Sequence, residues 1–188
     1  MSVEINQLMR WTTADLELLP DDGSRYEIIN GELFVTRSPH VLHQTTCVKM
    51  ATQLENWSEQ TGNGVVIFAP GIIFTDADNV IPDLIWVSKE RLEQVIDDAG
   101  HLTGAPELVI EVLSPGKDQE RRDKQLKLKL YSAKGVHEYW IVDRQKQQIE
   151  VYRRDNAALT LVMTLYPNDT LTSPLLPNFS CLVSRIFR

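Results

Sequence analysis

The sequence predicts an α/β fold, with a central mixed β-sheet flanked by helices. Three observations indicate this class. Short runs rich in Val, Ile and Phe have the composition of strands, two longer segments have the apolar spacing of helices, and the two kinds of segment alternate along the chain. The length of 188 residues fits one domain, residues 1–188, which buries roughly 70% of its unfolded surface without disulfide or metal support.

The first half of the chain predicts a short helix, a hairpin, a long helix and strands. A short helix capped by a threonine is expected before Pro20. Two apolar strands flank Asn30-Gly31, and this dipeptide is the strongest short signal for a hairpin. Residues 40–60 are expected to form a helix that glycines end, and residues 64–74 are expected to form one strand.

The second half continues the alternation. A helix over residues 118–134 is expected after a Ser-Pro-Gly break, and Gly135 ends it. The apolar tail, residues 171–187, suits either the core or a dimer contact. The further predicted strands are residues 83–87, 107–113, 138–142, 148–153 and 159–165.

The net charge is −7, from 26 acidic and 19 basic residues. This balance argues against a protein that coats DNA, because a non-specific phosphate grip needs a basic surface, but a nuclease needs only one basic face. Residues 115–134 carry seven basic and three acidic side chains, whereas residues 1–114 carry 6 basic and 18 acidic ones. The basic helix is therefore either a solvated face with i,i+4 ion pairs or a surface that faces phosphates.

Other features point to a reducing cytosol. Cys47 and Cys181 form no CxxC motif and no Cys/His metal spacing, so we expect two core thiols. The N-terminal segment has no unbroken apolar h-region, and no run of 18 apolar residues occurs. The sequence therefore predicts a cytoplasmic protein with no membrane partner.

Two carboxylates lie in apolar surroundings. Asp83 begins one predicted strand, and Glu111 is the one charged residue among the apolar residues 108–113 of another. Burying a carboxylate costs several kcal/mol unless it is paired or binds a metal. A structural salt bridge explains one such acid, whereas two acids on separate strands favour a shared cation.

The basic helix places three functional groups on one face. Asp123, Lys127 and Tyr131 are spaced i, i+4 and i+8. They are either part of a site or, for Asp123 and Lys127, a surface ion pair of little energetic weight. His40 and His43 are also spaced for a metal pair, but no third ligand lies nearby in the sequence. The alternatives to a metal pair are a helix cap, exposure to solvent, or contact of His43 with a substrate.

Six motifs occur in order along the chain. They are Arg25-Tyr-Glu-Ile-Ile-Asn-Gly-Glu-Leu33, His43-Gln44, Pro82-Asp83, Glu107-Leu-Val-Ile-Glu-Val-Leu-Ser-Pro115, Lys127-Leu-Lys-Leu-Tyr131 and Gly135-Val-His-Glu-Tyr-Trp-Ile-Val-Asp143. With these motifs the sequence resembles the Uma-two family, a bacterial branch of the PD-(D/E)XK nuclease superfamily that is similar to restriction endonucleases. The resemblance covers about residues 12–152.

The resemblance implies a restriction-endonuclease-like core and Mg²⁺ or Mn²⁺ as cofactor. Asp83 and Glu111 match the metal ligands, with the carbonyl of Val112 as an expected third. The superfamily's lysine usually follows the acid by two residues, where this chain has Leu113. Lys127 on the next helix matches the displaced amine.

The same resemblance adds catalytic and substrate-binding candidates. Glu27 matches a further acid that would complete the catalytic set. The residues expected to contact substrate are His43, Gln44, Arg121, Arg122, Lys124 and Tyr131.

The leading hypothesis is a metal-dependent endonuclease that hydrolyses phosphodiester bonds of DNA. DNA binding is expected to be weak and metal-assisted, and a homodimer follows by analogy with nucleases that cut two strands. Two alternatives remain: an interaction module for nucleic acid or protein with little or no turnover, and a phosphodiesterase that acts on RNA or small nucleotides.

Overall fold

Six strands form the central sheet of the computed structural model, which describes residues 9–37 and 40–188. The strands are β1 (Arg25–Ile29), β2 (Glu32–Thr36), β3 (Gly64–Phe68), β4 (Ile72–Thr75), β5 (Asp78–Val80), β6 (Leu84–Ser88), β7 (Leu108–Val112), β8 (Glu138–Asp143), β9 (Gln148–Asp155), β10 (Ala158–Leu165), β11 (Thr170–Ser173) and β12 (Leu176–Leu182). The helices are α1 (Thr13–Leu16), α2 (Val41–Thr61), α3 (Lys89–Val95), α4 (Lys117–Arg121), α5 (Leu128–Lys134) and α6 (Ser184–Phe187), and a π-helical segment (Arg122–Lys127) joins α4 to α5.

The central sheet is mixed, as the sequence predicts. Its strand order is β10-β9-β8-β7-β6-β3, and only β7 and β8 pair in parallel. A parallel pair needs a crossover, which α4, the π-helical segment and α5 supply. A four-stranded sheet, β2-β1-β5-β4, and the ribbon β11-β12 complete the described strands.

Alternation along β6, β7 and β8 divides the core between the two faces of the central sheet. One face packs against α2, β12 and α6, and it buries residues such as Leu84 and Ile110. The opposite face packs against α5 and the smaller sheet, and it buries Ile85, Val109 and Tyr131. Glu111 shares the side of Val109, so its carboxylate points toward the basic helix rather than into the fully apolar half of the core.

The predicted hairpin and helix stop are present, and the apolar tail belongs to the core, which is one of its two predicted alternatives. Asn30 and Gly31 both have positive φ angles, 52° and 77°, as the tight turn between β1 and β2 requires. Gly135 ends α5 in a left-handed conformation. Leu171, Phe179 and other apolar residues of the tail are buried in this chain's own core. Both cysteines are free and buried, and no helix of the described residues is long and apolar enough to cross a membrane.

Two predicted elements differ from the structure. The expected strand over residues 64–74 is divided, because Ala69 adopts a φ angle of 47° and Pro70 cannot continue a sheet ladder. Its halves, β3 and β4, belong to different sheets. The expected α-helix over residues 118–134 is interrupted by the π-helical segment, which widens one turn at the residues that carry Asp123 and Lys127.

Candidate functional site

Charged side chains from distant parts of the chain converge on a small cavity at the end of β7. The register of β6 on β7 pairs Leu84 with Ile110, so it places Asp83 across from Glu111. The cavity volume is about 20 Å³, room for roughly one water-sized occupant. The charged residues in its wall are Arg25, Glu27, Arg37, Asp83, Glu111, Arg122, Asp123 and Lys127.

Lys127 lies at the centre of the acidic groups and is 1% exposed. Its Nζ is 2.8 Å from Oε1 of Glu111 and 2.8 Å from Oε1 of Glu27. Asp123 Oδ1 is 3.9 Å away, and the Tyr131 hydroxyl donates to the same Glu111 oxygen at 3.2 Å. The three residues share a face, as their spacing predicts, but their contacts are buried rather than on the surface.

Glu27 is held in position from two sides. Its Oε1 also accepts the backbone N–H of Ile81 at 2.9 Å, and its Oε2 is 3.6 Å from Nη1 of Arg122. The carboxylate therefore links the smaller sheet to the π-helical segment through Lys127. Burial acts to lower the pKa of Lys127, but Glu111 and Glu27 outweigh it and raise this pKa, so the amine stays charged.

Asp83 is the most completely bonded of the acids. Its Oδ1 accepts from Arg25 Nη1 at 3.1 Å, and its Oδ2 contacts His43 Nε2 at 3.1 Å and the Val112 N–H at 2.9 Å. Burial acts to raise the pKa of Asp83, but His43, the Val112 N–H and the charge of Lys127 together hold it below its ordinary value. Asp83 is therefore ionised at neutral pH.

Glu111 has the opposite electrostatics. Burial raises the pKa of Glu111 to about 8; Lys127 opposes this rise, and the negative charges of Asp83, Asp123 and Glu27 add to it. Burial likewise raises the pKa of Asp123, against the effect of Lys127 and Arg122. The cavity wall holds four acidic and four basic side chains, so a divalent cation that binds there would replace the proton that the raised pKa of Glu111 favours.

The donor atoms at the cavity suit a hard cation. Glu111 Oε1 is used by Lys127 and Tyr131, whereas no partner is found for Oε2 in the described part of the chain. The carboxylates of Asp83 and Glu111 lie beside the backbone of Val112, and oxygen ligands of this kind are those that Mg²⁺ and Mn²⁺ prefer. The residues therefore fit the expected metal. On binding, the metal would share the Asp83 carboxylate with the side chains that already contact it, Arg25 and His43.

A second group of ligand types lies next to this set. Atoms of His43, Cys47 and Asp83 lie within 4.8 Å of one another. The imidazole stands between the other two, with Nδ1 3.6 Å from the Cys47 sulfur and Nε2 facing Asp83. Burial and the charge of Asp83 raise the pKa of the Cys47 thiol, so it stays protonated. The group therefore orients His43, and Cys47 does not have the exposure of a nucleophile.

The substrate-binding candidates are not equivalent in the structure. His43 lines the cavity, but Gln44 is absent from its wall. Arg122 binds Asp123 at 3.2 Å and Thr36 at 2.7 Å, and Lys124 binds Glu150 at 2.6 Å. Arg121 is exposed and lines a neighbouring cleft with Phe34. Much of the positive charge of the basic helix is therefore used in ion pairs within the protein. The substrate-binding roles of these candidate residues stay predictions.

The structure also identifies residues that the sequence alone does not single out. Arg25 neutralises Asp83, and Arg37 and Ser114 line the cavity. Arg25 does open the first family-like motif, but its partner lies 58 residues away. His40 caps α2 by accepting the Leu42 N–H at 3.1 Å, which selects the capping alternative for this residue.

Comparisons with known proteins agree with this fold. The family model described as "Uma2: Putative restriction endonuclease" matches residues 13–184. The crystal structure of "a putative nuclease belonging to DUF820" from Anabaena variabilis is similar with a TM-score of 0.75 and 18% identity, covering 94% of this chain and 97% of that chain. This similarity confirms the predicted restriction-endonuclease-like core.

Two further comparisons add little. The type IIG restriction endonuclease BpuSI is similar with a TM-score of 0.42 and 17% identity, over 78% of this chain and 15% of that one. No curated protein matches the chain.

Proposed function

The chain belongs to the Uma2 family, and from that premise we propose that it is a Mg²⁺- or Mn²⁺-dependent endonuclease that hydrolyses phosphodiester bonds of DNA. One observation supports this most: Lys127 Nζ lies 2.8 Å from Glu111 in a cluster that contains four buried carboxylates. Asp83 and Glu111, with the Val112 carbonyl, are the proposed metal ligands. Lys127 and Glu27 complete the catalytic set.

The groups divide the chemistry as follows. A divalent cation, when bound, supplies Lewis acidity and lowers the pKa of a nearby water. In hydrolysis, the water oxygen forms a bond to phosphorus while the bond to the leaving oxygen breaks; the water loses a proton to solvent, and the leaving oxygen takes one up. Lys127 has a raised pKa, so it donates hydrogen bonds to the developing negative charge rather than accepting a proton. Glu27 positions Lys127, because it holds Nζ without needing to touch the substrate.

Substitution of the two proposed ligands tests this function. Wild-type protein with Mg²⁺ or Mn²⁺ should nick supercoiled plasmid, and Asp83→Asn or Glu111→Gln should reduce the rate by at least about a hundredfold, the scale of a lost catalytic group. Glu107→Gln is the matched control, because Glu107 bonds Ser88 near the other end of β7. Equal cleavage by Glu111→Gln and Glu107→Gln would contradict the proposal.

A second candidate function is a binding module with little or no turnover. The observation that favours it is the saturation of Asp83, whose two oxygens already have Arg25, His43 and the Val112 N–H as partners. Calorimetric titration with Mn²⁺ separates the two, since an absence of heat at millimolar metal favours the module. A panel of DNA, RNA and small nucleotides tests the phosphodiesterase alternative, and sedimentation tests the predicted homodimer.

A further inference from the structure

A second, larger cleft adjoins the catalytic cavity. Its volume is about 220 Å³, and His43 belongs to the walls of both. Its other lining residues are His40, Leu42, Leu113, Pro115, Arg144 and Gln145. The volume is below the roughly 300–1,000 Å³ of sites that enclose a whole drug-sized ligand. The cleft therefore suits a single ring system whose attached chain continues outside.

The lining combines apolar walls with one available cation. Leu42, Leu113 and Pro115 supply the apolar surface, and Leu42 is 44% exposed on α2. Arg144 has no carboxylate within 4 Å in the described ranges; its nearest polar contact is the Thr46 hydroxyl at 3.5 Å. Arg25, by contrast, is bound to Asp83. Arg144 is thus free to stack on, or donate to, a planar ligand.

The cleft is placed next to the proposed chemistry by the chain itself. Leu113 directly follows Val112 and lies two residues after Glu111. In a polynucleotide, each phosphate is joined through a sugar to a base. A strand with its phosphate at Asp83 and Glu111 would therefore bring the attached base to the apolar walls of the neighbouring cleft.

We propose that this cleft binds one unpaired nucleobase of a single-stranded nucleic acid whose phosphate lies at the catalytic cavity. The inference rests on the proposed function and adds a substrate class to it. A base within a duplex is stacked on both faces, and it must be flipped out at a cost before it can enter such a cleft. An unpaired base offers its face to Leu42 and Pro115 and its edge to Arg144 without that cost.

Binding measurements without metal test the cleft separately from catalysis. The probe is a fluorescein-labelled 12-nucleotide single strand, alone and as a duplex, with fluorescence anisotropy read in EDTA at low salt. The single strand should bind about tenfold more tightly than the duplex, the scale of one stacked base. Leu42→Glu should remove this preference, whereas Val48→Glu should leave it, because Val48 is 61% exposed on the same helix but outside the cleft.

Arg144→Ala and the mononucleotide thymidine monophosphate provide a second variant and a second probe of the same cleft. Arg144→Ala should weaken single-strand binding by about the same factor, with unchanged thermal unfolding. Duplex binding as tight as single-strand binding, equal effects of Leu42→Glu and Val48→Glu, or thymidine monophosphate binding as tightly as the oligonucleotide would each overturn the inference.

The two proposals fail in different ways. Plasmid cleavage with no single-strand preference leaves the nuclease function standing and overturns the nucleobase cleft. Single-strand preference that depends on Leu42 and Arg144, with no cleavage of either plasmid or single strand in Mn²⁺, supports the cleft and contradicts the nuclease function.

Discussion

Lys127→Met should destabilise the protein strongly, and more at pH 8 than at pH 5. Methionine keeps most of the side-chain volume and removes the charge. Nζ contacts Glu27 and Glu111 at 2.8 Å each, and all three side chains are buried. The substitution therefore leaves uncompensated negative charge in the interior.

The magnitude follows from these contacts. Removing one partner of a buried ion pair costs about 3–5 kcal/mol of unfolding free energy. For a chain of this length, each kcal/mol of unfolding free energy corresponds to roughly 2–4 °C in the midpoint of thermal unfolding. This midpoint should therefore fall by roughly 6–20 °C at pH 8. At pH 5 the loss should be smaller, because Glu111, whose pKa is raised to about 8, is then protonated and its share of the buried negative charge is absent.

Lys124→Met is the matched control for this measurement. Lys124 lies on the same π-helical segment and binds Glu150 at 2.6 Å, but its side chain is 20% exposed. Pairs of this kind contribute about 0–1 kcal/mol, so the control should shift the midpoint by a few degrees at most. Thermal unfolding by circular dichroism without metal gives both values. If Lys127→Met costs no more than Lys124→Met, or costs more at pH 5 than at pH 8, the electrostatic argument is wrong.

Three other predictions concern protonation and access. Mn²⁺ affinity, measured calorimetrically, should rise about tenfold per pH unit below pH 8 and then level off, because the metal replaces the proton on Glu111. An affinity independent of pH between 6 and 8 would argue against Glu111 as a ligand. The pKa of Glu111 is raised in the folded state. The contribution of Glu111 to stability is therefore fully present below its unfolded pKa near 4.5 and is lost as the pH rises through about 8. Urea titrations of the metal-free protein should show this decline, and Glu111→Gln should remove it. Cys47 and Cys181 should react with a thiol reagent only at the rate of unfolding, because both are buried and the pKa of each is raised, and rapid labelling of native protein would refute this.

The acidic net charge has a specific structural distribution. Four carboxylates, those of Glu27, Asp83, Glu111 and Asp123, lie buried around the cavity. They remove the local cations from solvent, since Arg25, Arg122 and Lys127 all pair with them. Arg122 and Lys127 therefore add little positive charge to the surface, whereas Lys117, Arg121 and Lys129 of the basic helix are exposed.

Much of the site was open to prediction from local sequence. Glu111 is conspicuous because it is the only charged residue in an apolar strand, and period-two alternation correctly places it on the side of Val109. The i,i+4 spacing correctly places Lys127 beside Asp123 and Tyr131. These features depend on residues close together in the chain, where helix and strand geometry leave few alternatives.

Other features depended on contacts between distant residues. The spacing of Arg121, Arg122 and Lys124 suggested a phosphate-facing set, yet Arg122 and Lys124 point at acids supplied by neighbouring elements. The run over residues 64–74 has the composition of one strand, and only the turn at Ala69 and the separate pairing partners of its halves divide it.

The sequence by itself determined the α/β class, the order of the elements, the two isolated carboxylates and the lysine that faces them. These follow from side-chain periodicity and from the cost of burying charge. Only the tertiary structure decided that Arg25 neutralises Asp83, that His43 stands between Cys47 and Asp83, and that a cleft lined by Arg144 adjoins the cavity. The physical reason is that strand order and register bring together residues 40 or more positions apart, and no local pattern in the chain records which of them meet.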